Sequence, residues 1–303
     1  MYNEIKIYVR SCHTCQMVKP SNHPFYGELQ PLVTPSSPMD LLSMDTVVMD
    51  RKNKDPNSQK YIQIVLDHNS RYVWARATNK TTAQTMISVL DAIIKGASPA
   101  KRLLTDNYKS FRAKTLQRFL DQNHCSRSFT SSYHPQTNGA NEKVNDTIVK
   151  GLRLALQDRP RVKWTSLLEK VVRDYNNTIH ETTGFTPSYL MFGTDSLQTS
   201  SPSVAEARQL SQTRSDAFKQ RKKEAYDRLH QPINLKVGDL VKRRIPSNRP
   251  DVKKLSPKFE GPFCVKELRG PVNVVIEDHA SNSQPLLVHV SQIEPYYNRE
   301  DAP

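Results

Sequence analysis

Residues 41–130 constrain the fold more than any other stretch. Three apolar runs of strand length follow one another: LLSMDTVVMD (41–50), YIQIVLD (61–67) and RYVWARAT (71–78). A polar, lysine-rich loop (51–59) separates the first two, and the turn-like HNS separates the last two. TTAQTMISVLDAIIKG (81–96) then carries apolar residues at helical spacing and ends on Gly96, a suitable C-terminal cap. KRLLTD (101–106) reads as a strand, SFRAKTLQRFLDQNH (110–124) as a helix and CSRSFT (125–130) as a strand. Three strands, then helix, strand, helix, strand, predict an α/β layer. SSYHPQTNGAN (131–141) is rich in loop formers. NEKVNDTIVKGLRLALQ (141–157) is a strong helix, with Val144, Ile148, Leu152 and Leu156 forming a buried stripe. WTSLLEKVVRDYNNTIH (164–180) is a second long helix.

The flanks differ in character. Residues 1–20 read as a short helix entering a Cys-x-x-Cys turn, CHTC at 12–15, and residues 21–38 as a proline-containing linker. Residues 194–233 read as a Ser/Thr-rich linker followed by a charged helix with a solvated face. From NLKVGDLVKRR (234–244) onward, short strands with turn signals between them predict a small all-β barrel over 234–298. The central domain is expected over 39–193.

A formal net charge of +14 favours a polyanionic partner, nucleic acid ahead of an acidic membrane surface. No run approaches the roughly 18 apolar residues of a membrane helix. Charge early in MYNEIKIYVRSCHTC argues against a signal peptide, and four cysteines argue for a reducing compartment rather than a disulfide framework.

Three acidic residues stand apart. Asp45 lies inside the apolar first strand, Asp106 ends the fourth, and Glu142 opens the helix after the loop. Burying a carboxylate in a strand is costly unless it is paired or binds a metal, and open α/β sheets collect ligands at strand ends. Carboxylates suit magnesium or manganese, and three together repel unless cations intervene. Each residue also has an ordinary reading: an ion pair for Asp45, turn chemistry in TDN for Asp106, and a favourable helix dipole for Glu142.

Thirty-five residues separate Asp106 from Glu142. That spacing resembles the Asp, Asp-35-Glu pattern of retroviral and retrotransposon integrases. SMDTV, VLDHNSRYVWA, LLTDN, YHPQTNGANEKVN and YNNTIHETTGFTPSYLMFG all resemble the core of gypsy-type LTR-retrotransposon integrases. IYVRSCHTCQMVKP resembles the second half of the family's zinc-binding domain. KVGDLVKRR, KLSPKFEGPFCV and VHVSQIEPYY, with the Gly-Pro-Phe turn at 261–263, resemble its barrel. The resemblance implies an RNase H-like mixed five-stranded sheet with flanking helices and an SH3-like barrel. It implies two Mg2+ or Mn2+ ions on Asp45, Asp106 and Glu142, which together trim element 3′ ends and join them to target DNA. It further implies action in the nucleus, after assembly in the cytoplasm, as a homo-oligomer on LTR ends and target DNA, with no membrane partner. Asp67 matches a position that caps a hairpin.

His134 is read as ordering the loop or touching DNA rather than as a general base. Gln136, Asn138, Asn141 and Lys143 surround Glu142 as candidates for the element's end, and Lys143 and Lys150 for phosphates, against a solvated helix face. Lys242, Arg243, Arg244, Lys253, Lys254 and Lys258 are candidates for phosphate contact in the barrel.

Three features depart from the pattern. Cys12 and Cys15 are two ligands where a closed zinc site needs four. The family's histidines are expected upstream of Met1, and neither His13 nor His23 matches them, so the chain reads as N-terminally truncated and zinc as doubtful. Tyr108 stands where the family usually has glycine. Cys125 and Cys264 are expected to be isolated and buried. The competing reading is a degenerate or domesticated integrase that binds DNA or protein without catalysis; a ribonuclease of the same core fits the HPQTNG loop and the barrel poorly.

Overall fold

The structure is a computed structural model that describes residues 2–19, 25–49, 58–106, 108–129, 139–159, 161–194, 202–231, 234–245, 253, 255–278 and 284–298. In chain order the elements are α1 (Tyr2–Ser11), α2 (His13–Val18), β1 (Phe25–Tyr26), β2 (Leu42–Val48), β3 (Tyr61–Asp67), β4 (Val73–Thr78) and α3 (Ala83–Gly96). They continue as β5 (Arg102–Thr105), α4 (Lys114–Gln122), β6 (Ser126–Phe129), α5 (Gly139–Asp158), α6 (Trp164–Asn176), α7 (Pro187–Phe192) and α8 (Val204–Asp227). The last are β7 (His230–Gln231), β8 (Leu240–Arg244), β9 (Phe259–Arg269), β10 (Asn273–Asp278), β11 (Leu286–His289) and β12 (Ile293–Pro295). Contacts divide the chain into two units, Pro31–Gln220 and Met1–Gln30 with Arg221–Pro303.

The unit over 31–220 holds a five-stranded sheet in the order β4-β3-β2-β5-β6. β2, β3 and β4 form an antiparallel meander, while β5 and β6 join parallel to it. This is the mixed RNase H-like order. Alternation along β2 decides what each face meets. Leu42 and Met44 pack with Met86, Leu90, Leu116 and Leu120 of α3 and α4. The opposite face meets α5 and α6, where Ile62, Ile64 and Val73 pack with Val144, Ile148, Leu152 and Leu167. Val144, Ile148 and Leu152 of the expected stripe are buried, and Leu156 is packed but partly exposed.

Two helices end differently from expectation, and a third was not foreseen. α4 begins at Lys114 rather than residue 110, because Phe111 turns into the core at 1% exposure while Phe111 and Arg112 donate their N–H groups to the Tyr108 carbonyl. α6 stops at Asn176, whose side-chain amide donates to the Val73 carbonyl at 2.8 Å and accepts from the Val73 N–H at 2.9 Å. α7 is capped by the Thr186 hydroxyl, begins on Pro187 and ends on left-handed Gly193.

The second unit holds a five-stranded antiparallel sheet in the order β11-β10-β9-β8-β12. Val241, Val265, Val274, Ile276, Val288 and Ile293 form its core. The Gly-Pro-Phe segment expected as a turn lies inside β9. Gly261 has φ +127°, and an added Cβ would come within 3.2 Å of the Val241 carbonyl, so only glycine suits the register shift there. Residues 13–18 pack on this sheet. Gln16 donates to the Tyr297 carbonyl and accepts from the Tyr297 N–H, both at 3.0 Å. The Met17 carbonyl accepts from the Lys258 N–H at 2.9 Å. Cys125 is buried as expected, whereas Cys264 is partly exposed because its strand has one solvated face.

Candidate active site

The sheet register brings two of the three acidic residues together. β2 and β5 pair in parallel up to Met44↔Thr105, so Asp45 and Asp106 each stand one residue beyond the last pair. Asp106 accepts from the Tyr108 N–H at 3.1 Å. Burial holds its carboxyl above the usual carboxylate range, and the charge of Asp45 pushes it the same way. Asp45 accepts from the Thr46 N–H at 2.8 Å and from the Asn145 side-chain amide at 2.7 Å.

Two side-chain bonds fasten α5 to β2. The Ser43 hydroxyl donates to the Asn141 side-chain oxygen, and Asn145 donates to Asp45. Two residues along a strand advance about 6.6 Å and four along a helix about 6 Å, so the pairs 43/45 and 141/145 match in spacing. Behind them, the His68 Nε2 lies 2.8 Å from the Ser43 hydroxyl. Because Ser43 gives its proton to Asn141, that nitrogen must be the donor. Burial, reinforced by the charges of Arg71 and Lys219, lowers the His68 pKa to about 3 and keeps the ring neutral.

Glu142 lies on the first turn of α5, between the two fastened asparagines, and is exposed. Among the described residues, no three His, Cys, Asp or Glu side chains converge closely enough to hold a metal. Asp45 and Asp106 are neighbours, and Glu142 is not gathered to them. His134, Gln136 and Asn138 lie outside the described residues. Asn141, expected to face DNA, is instead 3% exposed and committed to Ser43. Lys143 is exposed, and Lys150 is exposed beside Asp146 at 2.7 Å.

Asn145, Ser43 and His68 were missed as site residues. A period-two reading of β2 puts Ser43 on the same face as Asp45, which was the available signal for the first. Asp67 caps the β3–β4 turn, accepting from the N–H groups of Ser70 and Met39 and from the Ser70 hydroxyl.

In the other unit, the Lys242 ammonium is buried, 3.2 Å from Glu294 and 3.1 Å from the Gln16 carbonyl, over the Phe259 ring. Its expected phosphate contact is therefore corrected: a buried, paired ammonium cannot reach a duplex. Arg243 pairs with Glu260 at 3.0 Å, and Arg244, more exposed, with Glu294 at 3.2 Å. Lys253 and Lys258 are exposed, and Lys254 lies outside the described residues. Cys12 and Cys15 share one turn of α2, where hydrogen bonds from Cys15 lower the Cys12 thiol pKa. Among the described residues no third ligand converges on them, and the His13 Nδ1 sits 3.1 Å from the Tyr296 hydroxyl.

Residues 35–135 match the integrase core domain family, a span that includes Asp45 and Asp106 and stops before Glu142. Over these residues the chain is similar to that family. Residues 235–297 match a domain of unknown function (DUF8803). The Tf2-3 and Tf2-4 transposon polyproteins of Schizosaccharomyces pombe are each 28% identical over 318 aligned positions, covering 98% of this chain and 24% of theirs. The chain thus spans about a quarter of the length of these relatives. A chain of the simian T-cell lymphotropic virus intasome, solved in complex with PP2A regulatory subunit B56 gamma, aligns with a TM-score of 0.66 at 15% identity. The alignment covers 98% of this chain and 91% of that one, a likeness of fold.

Proposed function

We propose that the chain is the integrase portion of a retroelement polyprotein, a polynucleotidyl transferase that trims element 3′ ends and joins them to target DNA in the nucleus. The observation that carries this is the placement of Asp45 and Asp106 at adjacent positions past the β2–β5 ladder, within the span that matches the integrase core domain family. Two adjacent carboxylates, the charge of one raising the proton affinity of Asp106, form an oxygen donor set suited to a hard divalent cation. Asp45 and Asp106 would hold Mg2+ or Mn2+, with Glu142 as the third ligand brought in from α5. A bound cation supplies positive charge to activate an attacking oxygen and to stabilise the leaving oxygen of a phosphodiester. The chain's own part is orientation. Asn145 fixes one oxygen of Asp45, the Tyr108 N–H fixes one oxygen of Asp106, and Ser43 anchors the turn that bears Glu142.

On this reading residues 39–193 are the catalytic core, and residues 234–298 bind DNA through exposed Lys253 and Lys258 together with Lys254. Lys143 and Lys150 lie on the helix that bears Glu142 and would meet backbone phosphates. The working form is an oligomer on DNA, as the intasome of the structural neighbour is an assembly.

One observation favours a second reading, a DNA-binding module without catalysis. Glu142 stands exposed and apart from the aspartate pair, and Tyr108, 55% exposed, sits beside Asp106. A single assay separates the two readings. The purified chain and an Asp106→Asn variant are incubated with a labelled LTR-end duplex and Mn2+. Nicking and joining by the wild type alone supports the enzyme; the same absence in both, with retained duplex binding, supports the binder.

A further inference from the structure

The turn after Asp106 is tied down along its length, and one aromatic ring on it is left over. The Tyr108 N–H donates to the Asp106 carboxylate at 3.1 Å. The Tyr108 carbonyl accepts from the Phe111 N–H at 3.0 Å and from the Arg112 N–H at 3.3 Å. The Phe111 ring is buried in the core, and the Phe111 carbonyl accepts from the Arg127 guanidinium at 2.6 Å. The Ser110 hydroxyl donates to the Thr81 carbonyl. The main chain that carries Tyr108 is thus fixed one hydrogen bond away from an aspartate of the site.

The ring itself is spare. Tyr108 is 55% exposed, and among the described residues its side chain makes no hydrogen bond and no ring contact. Phe129 offers the contrast. It ends β6 in register with Thr105 and is also exposed, but the Arg127 guanidinium lies over its ring at 4.7 Å. Of the two exposed aromatics at this end of the sheet, Tyr108 is the one with nothing on its face. A tyrosine fixed at its root presents a flat π surface at small entropic cost, since only two side-chain torsions remain. Lys109 and Arg112, on the same turn, are exposed, and no ion pair engages them among the described residues. A π face flanked by cations suits a nucleotide, whose base stacks while its phosphates meet the charges. Within a duplex each base face is covered by its neighbour, so the fitting occupant is an unpaired nucleotide, free to turn its face to the ring.

We propose that Tyr108 is a stacking platform for the base of an unpaired nucleotide beside the phosphodiester that Asp45 and Asp106 handle, with Lys109 and Arg112 on its phosphates. The proposal rests on the DNA-acting reading above and adds a positioning residue to it: the ring sets where the strand lies relative to Asp106. Stacking reads no base edge, so this contact confers a preference for unpaired structure and none for sequence.

Equilibrium binding of the whole chain to two labelled duplexes of equal length tests this, one fully paired and one with mismatched terminal pairs that carry 2-aminopurine. Binding is measured in EDTA, so the outcome does not depend on catalysis. The wild type should favour the unpaired end by about 5–150-fold and quench the 2-aminopurine fluorescence. Tyr108→Phe keeps the ring and should keep both effects. Tyr108→Ala should bind the two duplexes alike and leave the probe bright, with the unfolding midpoint of the wild type, because the ring touches nothing in the fold. Equal wild-type affinities overturn the platform alone, and so does a preference that survives Tyr108→Ala. Failure to bind either duplex overturns the DNA-acting reading together with it. A preference that Tyr108→Ala abolishes, in a chain that neither nicks nor joins with Mn2+, upholds the platform and overturns only the enzyme.

Discussion

The Asn145 side-chain amide donates to the Asp45 carboxylate at 2.7 Å, joining the helix that bears Glu142 to the strand that bears the first aspartate. The other Asp45 oxygen takes the Thr46 N–H, so the carboxylate is held from both sides. Partners that orient a ligating carboxylate typically matter about 10–100-fold in activity or metal affinity. Asn145→Ala should lower strand joining by about that factor, with little change in the unfolding midpoint. An unaltered joining rate would show that Asp45 needs no such partner.

Ser43 presents a different balance. Its hydroxyl stands between the His68 Nε2 and the Asn141 side-chain oxygen, all three residues buried. Ser43→Ala strands a donor on one side and an acceptor on the other, each costing about 1–3 kcal/mol when buried without a partner. Urea unfolding should register a loss in that range, and joining activity should fall with it because the first turn of α5 loses its anchor. Cysteine at this position, with a weaker donor, should recover only part of both.

Two buried histidines make stability depend on pH. Burial lowers the His68 pKa to about 3 and the His180 pKa to about 4, both from an ordinary 6.5. A group whose folded pKa is depressed favours folding above its unfolded pKa, and that contribution is lost as pH falls toward the folded value. From pH 7 to pH 5 each histidine should remove about 2 kcal/mol of stability. Asp67, whose carboxyl is raised by burial, acts in the opposite sense and is common to wild type and variant. His180→Gln should therefore reduce the loss between pH 7 and pH 5 by about 2 kcal/mol. An identical pH profile in the two proteins would mean that His180 protonates freely in the fold.

The barrel's cations divide into two kinds. Lys242 and Glu294 are register partners on β8 and β12, with side chains 10% and 8% exposed. Glu294→Gln leaves that ammonium without its counter-charge and should destabilise the barrel by about 3–5 kcal/mol. Lys258→Ala, at an exposed position, should leave stability alone and reduce the salt dependence of DNA binding by about one counterion. Comparable salt slopes for wild type and Lys258→Ala would remove Lys258 from the interface.

The contrast between those two lysines shows where sequence reading stops. VKRR looks like a basic stripe, and nothing local distinguishes Lys242 from Arg244. Both pair with Glu294, about fifty residues on. What separates them is burial: Lys242 is enclosed and also reaches the Gln16 carbonyl, while Arg244 stays about half exposed. Both facts come through chain pairings that spacing cannot supply. The sheet strands were readable because alternation is local, and Asp106 fell just past the end of β5 while Asp45 fell inside β2, one residue beyond its pairing with β5. The link from Asn145 was not, because an asparagine on a polar helix face is ordinary until the register of that helix on β2 is known. α7 carried every cap, Thr186, Pro187 and Gly193, yet its six residues are too few for a periodic apolar face. The end of α6 was overrun because nothing local shows that the Asn176 amide turns inward to Val73.

That amide and the one on Gln16 make the same gesture on different sheets. Each takes both main-chain groups of a single residue: Val73 opening β4, and Tyr297 just past β12. β4 and β12 are the outermost strands of their sheets, where unsatisfied N–H and C=O groups invite another chain to add itself. A carboxamide is a peptide group on a short stem, so one side chain can stand in for the neighbouring strand that is not there. The protein thereby blunts a flank of each sheet with a single residue, and an apolar replacement at Asn176 or Gln16 would leave a sticky border as well as a looser helix.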